Sequence, residues 1–318
     1  MTAVPASLAR ESNVRRGTPP APTRSGRARA EALAGYAMLS PAAVLFVVFF
    51  IGPVLAAIAL SFFSWDVLQA PTFAGLDNYR SLVHDGIART ALLNTVEFTV
   101  ITVIVHLVLG LALALLVNRL ASPVLKYFLR TALFFPLLVS WAAVSLLWKY
   151  GLDPNFGFIN YYIEKFGLHP PDWLLSPHWA LLSLVGIDIW RSVGYTFVIL
   201  LAGLQTVPAY LYDSAKVDGA GRLAQFRNVT LPMMSPTLLF AVIISFIGAF
   251  QIFDPMYIMT QGGPGNSTLS IVQYDYYMAF RDFRMGYACA LALVIAAVIM
   301  TVSLVQLRLS RLWVHYER

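Results

Sequence analysis

The sequence has little charge, one cysteine and no nucleotide-binding loop. Only 12% of its 318 residues are Asp, Glu, Lys or Arg, well below the roughly 25% of a soluble domain, so water is not the main solvent of this chain. The lone Cys289 excludes an intramolecular disulfide and a cysteine metal cluster. Without a Gly-rich phosphate loop, ATP hydrolysis by the usual P-loop route is excluded. No residue spacing indicates a metal or hydrolytic site, so we expect no catalytic, cofactor or metal residues.

Long apolar runs take the place of the missing charge. Hydrophobic residues make up 58% of the chain, and their runs are long enough for the ~20 residues of a membrane-spanning helix. The runs are continuously apolar, whereas barrel strands would alternate. We therefore predict an all-α polytopic membrane protein whose single transmembrane domain covers residues 35–318. The six predicted helices cover residues 36–63, 92–118, 128–149, 179–204, 233–259 and 285–309.

The basic residues are distributed unevenly along the chain. The net charge is +6, but the predicted cytoplasmic segments hold fifteen of the 22 Lys and Arg residues. This bias follows the positive-inside rule and predicts that both termini are cytoplasmic. We therefore expect membrane lipid, and not nucleic acid, to be the partner of the basic residues. Residues 1–34 have few large apolar side chains, which predicts a disordered basic cytoplasmic tail ahead of an uncleaved first helix.

The predicted cytoplasmic loop, residues 205–232, contains the pattern of a short helix. Thr206 is placed to cap it, residues 208–218 would form it, and Gly219 suits the left-handed turn that ends a helix. Asp213 and Lys216 are three residues apart and can pair. A helix this short is marginal alone. We therefore expect a partner protein to bind it.

This loop resembles the signature of the permease subunits of binding-protein-dependent ABC importers, in which Glu-Ala-Ala is followed by Asp-Gly-Ala and then by an apolar residue, Leu and Pro. Two positions depart from the usual residues, since Asp213 replaces Glu and Ser214 replaces Ala. Segments such as residues 190–195 and 260–264 are most similar to the sugar and glycerol-3-phosphate branch of the family. The matching loop positions are Asp213, Ser214, Ala215, Asp218, Gly219, Ala220, Phe226, Val229, Leu231 and Pro232.

The resemblance implies a type I ABC importer permease-like core in the bacterial plasma (inner) membrane. It implies that the loop is a coupling helix that docks on a separate ATPase subunit. The implied partners are a second homologous permease, two ATPase subunits and an extracytoplasmic solute-binding protein. ATP and Mg would bind to the ATPase subunits and not to this chain. The implied function is half of a translocation pathway for a sugar, a sugar-like solute or a polyol phosphate.

Polar and aromatic residues inside the spans are candidates for the translocation pathway, because ionisable groups at membrane depth are costly unless they face a cavity or a partner. The spacing of Asp188 and Arg191 allows an ion pair. Whether they contact solute or only lock helices together is open, and an Arg191 that faces the pathway would favour an anionic solute. We interpret His106 as a packing histidine. The candidates are Asn94, Glu97, Asp188, Trp190, Arg191, Tyr195, Gln251, Phe253 and Asp254.

Two other classes of protein are alternatives to an ABC permease. An ion-gradient-driven secondary transporter for a small polar solute would predict internal repeats and a self-contained site near the bilayer midplane, and the chain shows no repeat. A polytopic membrane enzyme would need a catalytic cluster at one interface. The sequence leaves the solute open among sugars, disaccharides, polyols, glycerol-3-phosphate and glycerophosphodiesters.

Overall fold

The computed structural model describes residues 24–314. Residues 1–23 of the predicted disordered tail lie outside the described residues. Residues 24–34 are helical instead, because helix α1, Arg24–Phe46, begins within that segment. The chain divides into two compact units, which meet in the sequence between Ala56 and Ala57.

The first span is an unbroken helix with a local change of winding. Helix α1 continues through a π-helical turn, Val47–Ile51, into α2, Gly52–Leu60. Pro53 lies two residues after this turn and lacks the N–H that an α-helix would use. The backbone N–H of Gly52 reaches the carbonyl of Val47 instead. A π turn is a known way for a membrane helix to accommodate proline.

The second, fourth and sixth predicted spans agree with the structure to within a few residues. They correspond to α4, Gly86–Arg119, α8, Pro177–Gln205, and α13, Met285–Ser310. Helix α4 begins six residues before the predicted residue 92 because Asp85 caps it: its Oδ1 accepts hydrogen bonds from the amides of Ile87 and Ala88 at 2.9 and 3.1 Å.

The predicted third helix, residues 128–149, is not a single helix. This segment is a pair of helices, α5, Pro123–Leu138, and α6, Trp141–Gly151, bent by 93°. Pro136 weakens the end of α5, and the Ser140 hydroxyl caps α6 by accepting a hydrogen bond from the Ala143 amide at 3.3 Å. The third span is therefore broken inside its apolar run.

The fifth span is shifted towards the N-terminus relative to the predicted 233–259. The chain is helical from α10, Arg222–Gln225, through a π turn, Phe226–Thr230, into α11, Leu231–Phe250. Leu231 and Pro232 therefore lie inside a helix. Helix α11 ends before Gln251. The chain becomes helical again at Asp254 and continues into a π-helical turn, Met256–Thr260.

The segments outside these spans also contain regular structure. Between α2 and α4 lie a two-stranded antiparallel hairpin, β1, Phe63–Ser64, and β2, Thr72–Phe73, and helix α3, Asp77–His84. Helix α7, Phe158–Lys165, follows α6. Helix α12, Ile271–Tyr276, precedes a π turn, Tyr277–Arg281. We call the side of the second unit that carries α3, α7 and α12 the outer end. The side that carries residues 206–221 is the inner end.

Helices α4 and α8 form the centre of the second unit. Helix α8 packs against α4, α5 and α11. Gly110 of α4 lies against Thr196 and Phe197 of α8, where an added Cβ would be only 3.0 Å from the Thr196 side chain. Small residues at such contacts let membrane helices approach closely. This packing places the broken third span beside α8.

Candidate solute pathway and coupling surface

A cavity of about 220 Å³ lies where the break in the third span faces α4, α8 and α11. It combines aromatic rings with hydroxyl and charged groups. Such a mixture suits a ligand that has both apolar and polar faces. The lining residues are His106, Leu137, Trp141, Asp188, Arg191, Ser192, Tyr195, Thr196, Ile244, Ser245, Gly248, Ala249 and Ile252.

Asp188 is buried and lies closest to a histidine. Its Oδ2 is 3.4 Å from His106 Nε2, and both side chains are 7% exposed. Within the described part of the chain, Asp188 makes no ion pair with Arg191, although their spacing predicted one. His106 thus places an imidazole from α4 against the carboxyl group of α8 and beside the cavity.

Arg191 binds the break in the third span. Its Nη2 donates hydrogen bonds to the carbonyls of Leu137 and Val139 at 3.3 and 3.0 Å. Its guanidinium carbon lies 4.2 Å from the centre of the Trp141 ring, a cation–π distance. Backbone carbonyls left free by a helix break need partners at membrane depth. Arg191 supplies one, which favours the structural alternative for this residue while leaving it on the cavity wall.

The remaining predicted pathway residues do not all meet at this cavity. Tyr195 lines it, but the Trp190 ring packs on Trp148 with centroids 5.4 Å apart. Asn94 donates from Nδ2 to the carbonyls of Asn266 and Leu269 at 2.7 and 3.1 Å and so holds a loop.

Glu97 is exposed and is not among the lining residues. Gln251, Phe253 and Asp254 were predicted to lie on the fifth helix, but they lie just beyond the end of α11 and outside the cavity lining.

Several lining residues were not predicted. Trp141, Thr196 and Ser245 come from three different helices, and the Thr196 and Ser245 hydroxyls lie 3.5 Å apart. Their polar or aromatic character was visible in the sequence. However, the break that brings Trp141 to the cavity depends on a bend between α5 and α6 that an apolar run does not reveal.

The coupling segment forms the predicted short helix. Helix α9 covers Ala209–Val217, and Gly219 adopts the expected left-handed backbone with φ of 78°. The amides of Gly219 and Ala220 donate to the carbonyls of Lys216 and Ala215 at 3.0 and 2.8 Å, which is the Schellman ending of a helix.

Two predicted side-chain contacts of this helix have different outcomes. Lys216 Nζ lies 2.8 Å from Asp213 Oδ1, so the predicted pair is confirmed. Thr206 does not cap α9. Its hydroxyl donates instead to the Gly203 carbonyl at 2.8 Å, at the end of α8.

One face of α9 is open and the other is packed. The side chains of Tyr210 and Val217 are exposed, as is that of Leu223 just beyond the helix. On the packed face of α9, the Tyr212 hydroxyl contacts the Thr230 hydroxyl at 3.0 Å, and Leu211 is half-buried.

The predicted docking residues are divided between these environments. Four are exposed: Asp213, Ser214, Asp218 and Gly219. Five are half-buried: Ala215, Ala220, Phe226, Leu231 and Pro232.

The carboxylate of Asp85 forms a hydrogen-bond network at the outer end. Asp85 Oδ2 accepts hydrogen bonds from the hydroxyls of Tyr274 and Tyr287 at 2.5 and 2.6 Å, while Oδ1 caps α4. Burial acts to raise the pKa of Asp85, but these hydrogen bonds together lower it below the usual value. Burial and the bond to Asp85 raise the pKa of Tyr274 to about 12. One side chain therefore joins α4, α12 and α13.

The long apolar helices make this chain a multi-pass membrane protein. The chain matches a solved bacterial ABC transporter that imports the acidic polysaccharide alginate with a TM-score of 0.79, at 24% identity, covering 91% of this chain and 98% of that one. At this identity the match shows the shared fold.

The family follows from sequence. Residues 106–314 match the model of the binding-protein-dependent transport system inner membrane component. The chain belongs to this family and is a multi-pass protein of the bacterial inner membrane. It is 34% identical to the probable ABC transporter permease protein YurN of Bacillus subtilis over 276 residues, covering 86% of this chain and 94% of the relative.

Two further relatives are named for sugar substrates. The sulfoquinovosyl glycerol transport system permease protein SmoG of Agrobacterium fabrum is 35% identical, covering 86% of this chain and 89% of the relative. The lactose transport system permease protein LacF of Rhizobium radiobacter is 34% identical, covering 91% of this chain and 98% of the relative. This membership supports an ABC permease over a gradient-driven transporter.

Proposed function

We propose that this chain forms half of the membrane pathway of an ATP-driven importer for a carbohydrate or a glycosylated polyol. The observation that carries this proposal is a cavity with aromatic and polar walls in a binding-protein-dependent permease. Sugar rings carry hydroxyl groups around an apolar C–H face. Trp141 and Tyr195 offer rings, while Ser192 and Ser245 offer hydroxyls.

The same proposal assigns the partners. A second homologous permease completes the pathway, two ATPase subunits supply ATP hydrolysis, and an extracytoplasmic binding protein delivers the solute. Both termini are cytoplasmic in this proposal. The nine docking residues, Asp213 to Ala215, Asp218 to Ala220, Phe226, Leu231 and Pro232, form the ATPase-coupling segment. The exposed face of α9 contacts the ATPase, and the half-buried residues transmit its movement to α8 and α11.

Arg191 has a positioning role in this proposal. Because its Nη2 holds two carbonyls of the helix break, Arg191→Gln is expected to lower the uptake of neutral and anionic solutes equally. Asp188→Asn keeps the shape of the side chain and tests its contact with His106. Tyr195→Ala removes a ring from the cavity without touching the break.

The test is uptake by the assembled transporter, with its ATPase subunits and binding protein, in proteoliposomes. The panel contains lactose, trehalose, an arabinotriose, glycerol, glycerol-3-phosphate and a sulfonated sugar glycoside. We expect ATP-dependent uptake of a sugar, with about tenfold lower uptake in Tyr195→Ala, as for the loss of one aromatic contact.

Import of none of the sugars, or uptake without ATP, contradicts the proposal. A selective loss of anionic solutes in Arg191→Gln shows that Arg191 recognises charge, which contradicts its assigned role.

A further inference from the structure

Four aromatic rings form a continuous group at the outer end, which we call the outer aromatic cluster: Phe253, Tyr257, Tyr276 and Phe280. The Phe253 and Tyr257 rings stack with centroids 5.1 Å apart and planes 14° from parallel. Tyr276 meets them edge-on at 5.3 and 5.5 Å. Phe280 lies 5.2 Å from Tyr276. Two separate chain segments thus converge on one aromatic surface.

The outer aromatic cluster is partly exposed, and two of its hydroxyl groups have no hydrogen-bond partner within the described residues. Tyr257 and Tyr276 are 36% and 37% exposed, and Phe280 is 60% exposed. Within residues 24–314, the Tyr257 and Tyr276 hydroxyls make no hydrogen bond. The neighbouring Tyr277 differs, because its hydroxyl accepts a bond from Gln273 Nε2 at 2.9 Å. The cluster therefore presents ring faces together with two unused hydroxyls.

The outer aromatic cluster is adjacent in the sequence to a residue of the cavity wall. Ile252 lines the cavity, and Phe253 is the next residue in the chain. Gln251, which is exposed, and Asp254, which is half-buried, lie on either side of this pair in the sequence. The rings lie on residues 253–257 and 276–280, which connect α11 and α13 outside the spans. This placement differs from an aromatic belt, whose residues lie along the spanning helices where they meet the headgroups.

We propose that the outer aromatic cluster is a receiving site that binds a sugar ring by stacking before the sugar enters the cavity. The C–H face of a pyranose packs on an aromatic face, and tyrosine hydroxyls and an amide bind its hydroxyls. This site rests on the proposed carbohydrate import but uses different residues from the cavity. Sugar released from the binding protein reaches Tyr257 and Tyr276 first and Trp141 afterwards.

The test compares ring removal with ring retention in the assembled transporter. Tyr257→Ala and Tyr276→Ala each remove a stacking face, while Tyr276→Phe keeps the ring and removes only a hydroxyl. Tyr161→Ala is the matched control, since Tyr161 is an exposed outer-end tyrosine that pairs with Tyr162 on α7. The sugar is the one that the wild-type transporter imports from the panel, supplied on saturated binding protein. Sugar imported per ATP hydrolysed is measured.

We expect Tyr276→Ala and Tyr257→Ala to lower the sugar imported per ATP by about tenfold, the size of one lost ring contact. Tyr276→Phe and Tyr161→Ala should stay within about twofold of the wild type. Stimulation of the ATPase by the binding protein should be retained, which shows that the complex is folded and docked.

Unchanged import in both alanine variants overturns the receiving site. Loss of ATPase stimulation in Tyr276→Ala, with Tyr276→Phe unaffected, also overturns it, because the rings would then contact the binding protein or the second permease. Failure of the wild type to import any sugar is a separate result, which rejects the proposed function itself.

Discussion

The outer end and the inner end of the second unit are stabilised in different ways. At the outer end, one carboxylate of Asp85 accepts four hydrogen bonds from three helices. At the inner end, α9 leaves Tyr210 and Val217 exposed. Buried polar groups satisfied within one chain give a rigid platform. An exposed apolar helix face is typical of a protein interface. Around Asp85 the outer end is therefore held together within this chain, whereas the inner end exposes an apolar face that suits a partner.

The largest expected effect comes from placing charge on the open face of α9. Val217→Asp should abolish co-purification of the ATPase subunits and ATP-dependent uptake, because a buried unpaired charge at an interface is strongly unfavourable. Leu68→Asp is the matched control, since both side chains are 88% exposed in this chain. Retention of the ATPase by Val217→Asp would contradict the assignment of this face.

Removing the Asp85 carboxylate at the outer end should have the next largest effect, which is a loss of stability. Asp85→Ala should lower the stability of the complex by on the order of 1–3 kcal/mol, since it removes a helix cap and hydrogen bonds to a charged group. Thermal unfolding in detergent measures the change. Asp77→Ala, which breaks an exposed pair with Arg80 at 3.1 Å, is the control and should have little effect.

The Asp85 contribution should also depend on pH. A carboxyl group whose pKa is lowered by folding stabilises the protein above its unfolded pKa, and this stability is lost as pH falls through the folded pKa. The wild type and Asp85→Ala should therefore differ at pH 7 and converge below about pH 4. A difference that is unchanged at low pH would show that the carboxylate charge is unimportant.

Asp275 of α12 offers a contrasting carboxyl group at the outer end. Burial raises its pKa to about 7, and its Oδ1 is buried without a hydrogen-bond partner within the described residues. Folding is then less favourable once the group ionises, so stability should fall as pH rises from about 4 to 7. Asp275→Asn should remove this dependence in thermal unfolding. An equal slope in both proteins would contradict it.

The smallest effect is expected for the exposed pair on α9. Asp213 and Lys216 are 70% and 61% exposed, and such pairs contribute about 0.3–0.5 kcal/mol. Lys216→Ala should leave thermal unfolding almost unchanged. A large loss of stability would show that the pair supports the inner end, and would weaken the contrast between the two ends.

Membrane spans, helix ends and the family signature could be predicted from the sequence, because each depends on residues that are close together in the chain. Continuous apolar runs predicted the spans that became α4, α8 and α13, because length and hydrophobicity are local quantities. Pro208 and Gly219 similarly predicted where α9 begins and ends. The spacing around Asp213 and Asp218 identified the family.

Contacts between polar side chains of different helices could not be predicted from the sequence and are known only from the fold. Asp188 lies beside His106, 82 positions earlier in the sequence, and Arg191 reaches the carbonyls of Leu137 and Val139. Asp85 bonds to two tyrosines that lie 189 and 202 residues away in the sequence. These contacts depend on the bend in the third span and on the packing of helices around α8. A pattern of residues within one helix does not specify its neighbours, so partners at such distances are settled by packing.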